Sequence, residues 1–240
     1  MTEYRIERLG HKGDGIAAGP TFVPRVLPGE VVAGDMVGDR IDAPRIITPS
    51  PDRRSPPCRH YKSCGGCALQ HATDEFVGKW KTEQVRTALE NRAISVEMGA
   101  LHTSPPRSRR RAVLHGRRTK TGVQVGLHAR ASETLVAIPD CQLMTPAIMS
   151  ALPYLEAIVA LAGSRRGEMT LAVTETTAGL DVDIAGGHPL DMDLRTKLVH
   201  ATSAADFARF TYAGEQIAMA RPPAMRFGSA DVVPPAGAFL

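Results

Sequence analysis

Four cysteines, Cys58, Cys64, Cys67 and Cys141, are all that the chain contains, and their spacing constrains its fold more than any other feature. Three fall within one short stretch as Cys-x5-Cys-x2-Cys, and the fourth arrives after 73 intervening residues. A structural zinc site commonly draws ligand pairs from two knuckles. The three-plus-one arrangement instead favours an iron-sulfur cluster, because a cubane offers separate irons that local loops ligate individually. Zinc and unconnected core cysteines are the alternatives. A zinc site of three cysteines and one histidine, using His60 or His71, would strand Cys141. Gly65 and Gly66 lie between two of the thiols, where residues without a Cβ let the backbone turn tightly and bring amides near sulfur. Ligation of Cys58 and Cys141 by one centre would close a long segment and, by analogy with a disulfide, contribute roughly 4 kcal/mol.

Over 240 residues, 43% hydrophobic and 22% charged, the chain has a globular composition that excludes wholesale disorder and suits one large or two small domains. Its 22 glycines and 18 prolines predict many turns and short strands. The most apolar stretch, Ala147 to Gly163, is interrupted by Pro153 and Glu156 and falls short of the ~20 residues that cross a bilayer. The N-terminus carries neither a secretory signal nor a lipidation motif. A cytoplasmic, membrane-free monomer is therefore expected, in a compartment where clustered thiols more often bind metal than pair.

The net charge of +4 conceals an uneven distribution. From Arg107 to Arg130 there are eight basic residues, among them Arg109, Arg110, Arg111, Arg117, Arg118 and Lys120, and no acidic one. A single-sign field of this kind is the footprint of a polyanion-binding face, with a solvated strand face as the bland alternative.

Three segments are expected. Residues 1–50 read as short strands joined by glycine turns, in the manner of a small barrel. Gly10-His-Lys-Gly-Asp-Gly15 is not a phosphate loop, because no helix follows to receive the phosphate. Residues 51–72 form a Pro- and Arg-rich linker and the cysteine loop. Residues 73–240 form an α+β domain that includes Cys141. It begins with a helix capped by Thr73 and running to about Arg92, with Trp80 on its apolar stripe expected in the core. A meander over 110–139, a helix over 146–162, strands at 169–175 and 180–184, a helix over 192–207 and a strand at 215–219 follow.

The string Cys58-Arg-His-Tyr-Lys-Ser-Cys64-Gly-Gly-Cys67-Ala-Leu-Gln-His71, with the later Ile138-Pro-Asp-Cys141, resembles the iron-sulfur-containing bacterial RNA uracil-5-methyltransferases. Leu9-Gly-His-Lys-Gly-Asp-Gly-Ile16, Arg109-Arg-Arg-Ala-Val-Leu-His115, Val125-Gly-Leu-His128 and Pro234-Pro-Ala-Gly-Ala-Phe-Leu240 extend the resemblance over the whole chain.

The resemblance implies an N-terminal TRAM domain of oligonucleotide-binding barrel type, and Cys58, Cys64, Cys67 and Cys141 as ligands of a 4Fe-4S cluster. It also implies RNA contacts on the strand bearing Arg109 and Arg111, and methyl transfer from S-adenosylmethionine to carbon 5 of a uridine, most often in 23S ribosomal RNA. That chemistry needs a thiolate to add at carbon 6 and a base to take the carbon 5 proton. All four cysteines match cluster ligands, and no strand, glycine-rich turn and helix for the methyl donor is evident. The expected fold class is therefore mixed: a TRAM-like barrel, then an α+β domain with the cluster, with a C-terminal Rossmann-like methyltransferase domain missing. Catalytic and cofactor-binding residues are expected to be absent from the chain, which would be inactive alone. A non-catalytic RNA-binding module with a four-cysteine iron-sulfur or zinc site is the alternative.

Overall fold

A computed structural model describes residues 2–238, which divide into two compact units. The first comprises residues 1–61 and 67–104, and the second residues 62–66 and 105–240.

The first unit is built on an antiparallel five-stranded sheet of order β3-β2-β1-β4-β5. Its strands are β1 (Thr2–Leu9), β2 (Gly15–Ala17), β3 (Thr21–Val23), β4 (Val31–Gly34) and β5 (Arg45–Thr48). Ile6, Ala17, Val23, Val26, Val32 and Ile41 form its core. β2 passes so close to its neighbours that a Cβ at Gly15 would lie 2.3 Å from Val26 Cγ2, so only glycine fits.

A charged group sits inside this unit without being stranded. The Glu30 carboxylate is fully buried and accepts hydrogen bonds from the Leu27 and Ser50 amides and from Arg53. Burial pushes its pKa up, but the Arg53 and amide hydrogen bonds outweigh that and hold it below the ordinary range.

Helix α1 (Asp74–Glu90) starts where Thr73 Oγ1 accepts from the Phe76 amide, as the capping signal predicts. Of its residues only Gly78 is buried. The expectation that Trp80 lies in the core is therefore corrected: the side chain is half-buried, and Val85, on the same expected stripe, is exposed.

The second unit carries a seven-stranded sheet of order β12-β11-β10-β9-β6-β7-β8. Its strands are β6 (Arg111–Arg118), β7 (Val123–His128), β8 (Leu135–Ala137), β9 (Met169–Thr176), β10 (Gly179–Ala185), β11 (Arg209–Tyr212) and β12 (Glu215–Met219). A separate hairpin pairs β13 (Met225–Phe227) with β14 (Ala230–Val232). Helix α2 (Pro146–Ala162) packs on β6, β7 and β9, burying Ile148, Leu155, Ile158 and Val159 against Leu114, Val125, Leu171 and Val173. Helix α3 (Met192–Thr202), capped by Asp191, packs against α2.

β6, β7 and β8 form the antiparallel meander expected over residues 110–139, but the sheet as a whole is mixed. β10 and β11 run parallel, joined by the α3 crossover, so the unit contains a β-α-β connection and is mixed α/β. The expected α+β assignment is corrected on this point. The helix expected over 192–207 is shorter: α3 ends at Thr202 and β11 follows at Arg209. Strand β11 is buried at all four positions, so it lacks the alternation that marks a half-exposed strand.

Candidate functional site: a strand face with basic and metal-binding chemistry

Strand β6 alternates cleanly. Ala112, Leu114 and Gly116 are buried beneath α2, whereas Arg111, Val113, His115 and Arg117 occupy the opposite, more open face. The buried row is tight, since a Cβ on Gly116 would lie 2.6 Å from Val159 Cγ2.

This alternation sorts the basic residues expected to contact RNA. Arg111 and Arg117 share the open face of β6. Arg118 follows on the other parity but is exposed at the strand end. Arg109 and Arg110 precede the strand and are exposed, the former fixed by backbone hydrogen bonds to Leu143 and Thr145. Lys120 is exposed in the turn to β7. The basic run is thus displayed on several faces rather than as one row.

On the open face three further side chains converge. In the β6-β7 pair His115 is opposite Gly126, which places His128, two residues on, diagonally across the same face. In the β6-β9 pair His115 is opposite Thr170, which places Glu168 on that face from the other side. The two imidazoles stack with centroids 4.1 Å apart. His115 Nδ1 and His128 Nε2 each lie 2.9 Å from the same oxygen, Glu168 Oε1. Among the described residues this is the group of three or more potential ligands whose donor atoms all lie within 4.8 Å of one another. Sequence reasoning did not single it out. The available signal was the parity of His115 and His128 across the predicted hairpin.

The cysteines are distributed over both units, Cys58 and Cys67 in the first, Cys64 and Cys141 in the second. None forms a disulfide. Each of the two central thiols has a nitrogen donor on its sulfur: the Gly66 amide is 3.3 Å from Cys64 Sγ, and Gln70 Nε2 is 2.9 Å from Cys67 Sγ. The same Gln70 side chain accepts from the Cys58 amide through Oε1, so one residue braces two of the cysteines. A Cβ at Gly65 would lie 2.8 Å from the His128 carbonyl, and one at Gly66 would lie 2.8 Å from Leu127, which explains both glycines by packing against β7.

His71, considered as a zinc ligand, has a different role. Its ring is buried, with Nδ1 2.6 Å from the Tyr61 hydroxyl and Nε2 3.4 Å from the Val26 carbonyl. Burial lowers its pKa to about 4, so it is a neutral part of the core.

Towards the end of the second unit, Arg209 forms a buried two-pronged ion pair with Asp181 and donates to the Pro234 carbonyl, fixing the start of the Pro234-Pro-Ala-Gly motif. A Cβ at Gly237 would lie 2.4 Å from Asp183 Oδ2. Burial and then the neighbouring Asp181 raise the Asp183 pKa. Phe239 and Leu240, which complete that motif, lie outside the described residues. No helix among the described residues is long and apolar enough to cross a membrane.

No known family profile matches the chain. It is 41% identical over its whole length to an uncharacterized RNA methyltransferase of Caulobacter vibrioides, covering 60% of that protein. It is 38% identical over 99% of its length to one from Brucella suis, covering 58%. With the 23S rRNA (uracil(1939)-C(5))-methyltransferase RlmD of Halomonas elongata it shares 34% identity over 79% of its length, covering 42%. The chain thus spans about three-fifths of the length of the first two of these relatives. Among solved structures it is similar to the Pyrococcus abyssi tRNA (uracil-54, C5)-methyltransferase in complex with S-adenosyl-L-homocysteine. The TM-score is 0.71 at 17% identity, covering 99% of this chain and 60% of that one. Almost every residue of the chain therefore has its counterpart in that structure, and the expected fold class, a barrel and an α+β domain with a Rossmann-like domain missing, is corrected to a mixed α/β fold carrying a seven-stranded sheet.

Proposed function

We propose that this protein acts in methylation of RNA at carbon 5 of uridine, with S-adenosylmethionine as methyl donor and ribosomal RNA of the large subunit as substrate. The observation that carries the reading is the 41% identity, sustained over the full chain, to a protein named as an RNA methyltransferase. The likeness to RlmD supports uridine carbon 5 and 23S rRNA as the target. The exposed cations Arg109, Arg110, Arg118 and Lys120, with Arg111 and Arg117 on the open face of β6, supply the phosphate contacts.

Cys58, Cys64, Cys67 and Cys141 hold a 4Fe-4S cluster in this reading. The donor set suits it: four thiols with none spare, and N-H donors on two of the sulfurs, the kind of outer contact that tunes cluster sulfur. The cluster supplies a structural tie between distant parts of the chain.

Two measurements test this. Full-length native protein, incubated with S-adenosylmethionine and 23S rRNA from a strain lacking its gene, should form one equivalent of 5-methyluridine per rRNA. Formation of another modified base, or none, overturns the assignment. Purified without oxygen, the protein should be brown with about four irons per chain. Colourless protein with stoichiometric zinc bound by sulfur overturns the cluster.

A further inference from the structure

We infer that His115, His128 and Glu168 form a binding site for a divalent transition-metal ion of the zinc and ferrous class, separate from the cysteines. Two imidazole nitrogens and one carboxylate oxygen are the donor set that zinc and non-haem iron sites take from proteins while keeping positions open. Here they come from three adjacent strands or their ends, β7, β6 and the start of β9, so hydrogen-bonded backbone fixes their spacing.

The atoms already face one another. His115 Nδ1 and His128 Nε2 both aim at Glu168 Oε1 at 2.9 Å, and all three donors lie within 4.8 Å of one another. A tetrahedral ion at about 2.0–2.1 Å from each ligand separates its donors by a little over 3 Å, so small side-chain rotations admit it. With both imidazoles neutral and the carboxylate ionised, the group carries one negative charge to offer a cation. Binding asks each ring to carry its hydrogen on the nitrogen away from the carboxylate, the His115 proton on Nε2 and the His128 proton on Nδ1, with metal ligation replacing the contacts to Glu168.

Each side chain is about a quarter exposed. That is open enough for the ion to enter and for water to fill the remaining position. Gly126, opposite His115, contributes to the geometry: a Cβ there would lie 1.9 Å from the Val136 carbonyl, and without one no side chain stands opposite His115.

The test uses full-length protein with its native metal complement, supplemented with one equivalent of zinc and examined by X-ray absorption at the zinc edge. The expected spectrum has an imidazole-containing nitrogen and oxygen shell at about 2.0–2.1 Å and no sulfur. A sulfur shell at about 2.3 Å, or failure to retain zinc after desalting, overturns the inference. His115→Gln, His128→Gln and Glu168→Gln should each weaken zinc binding by more than roughly tenfold. Unchanged affinity in all three also overturns it. Should a variant fail to fold, the wild-type spectrum still decides.

Discussion

At the residue scale, His71 shows how burial converts a candidate ligand into a structural element. Its unfolded pKa is 6.5 and its folded pKa is about 4. Between those values the unfolded chain binds the extra proton, so stability is fully present above pH 6.5 and is lost as pH falls toward 4. The shift corresponds to about 3 kcal/mol. Urea midpoints of the full-length protein should fall steeply across that window, and His71→Gln should flatten the dependence while lowering stability at pH 7.5. A midpoint in the wild type that is level from pH 7 to 4.5 would contradict the neutral buried imidazole. Glu30, held below the ordinary carboxylate range, acts in the same direction at lower pH, its contribution being lost as it is protonated.

Contacts between elements depend on small residues at a few positions. β6 lies under α2 because Gly116 leaves room for Val159, and a methyl group there would stand 2.6 Å from Val159 Cγ2 and 3.1 Å from Leu171 Cδ1. Gly116→Ala is therefore expected to cost about 1–3 kcal/mol by overpacking. Val159→Ala should relieve part of that, giving a favourable coupling in a double-mutant cycle read by thermal unfolding. At the start of α1, Thr73→Ala should lower stability by about 1 kcal/mol in the same assay, because it removes the acceptor for the Phe76 amide.

For the whole molecule, the proposed RNA substrate makes the charge on its surface the relevant quantity. Each phosphate contact contributes about 0.7 to the dependence of log affinity on log salt for single-stranded RNA. Replacing Arg111 and Arg117 together by Ala should lower that slope by about 1.4 in a filter-binding series, weakening all RNA sequences alike. An unchanged slope would remove the open face of β6 from the RNA interface.

Local patterns make several elements legible in residue order alone: the Thr73 cap of α1, the span of α2 between Pro146 and Gly163, and the alternation of β6. Such features depend on neighbours three or four positions away, or on parity. The cysteine spacing likewise carried a ligand hypothesis without a fold. Tertiary structure decided the rest. β11 is buried throughout and so carries no period, and its parallel pairing with β10 exists only through the α3 crossover. His71, in sequence a disfavoured alternative zinc ligand, is a core residue in space. His115, His128 and Glu168 are separated by 12 and 39 intervening residues and become a group only when β7, β6 and β9 pair in their observed register. Residue order records what a side chain can do, and strand register determines which side chains do it together.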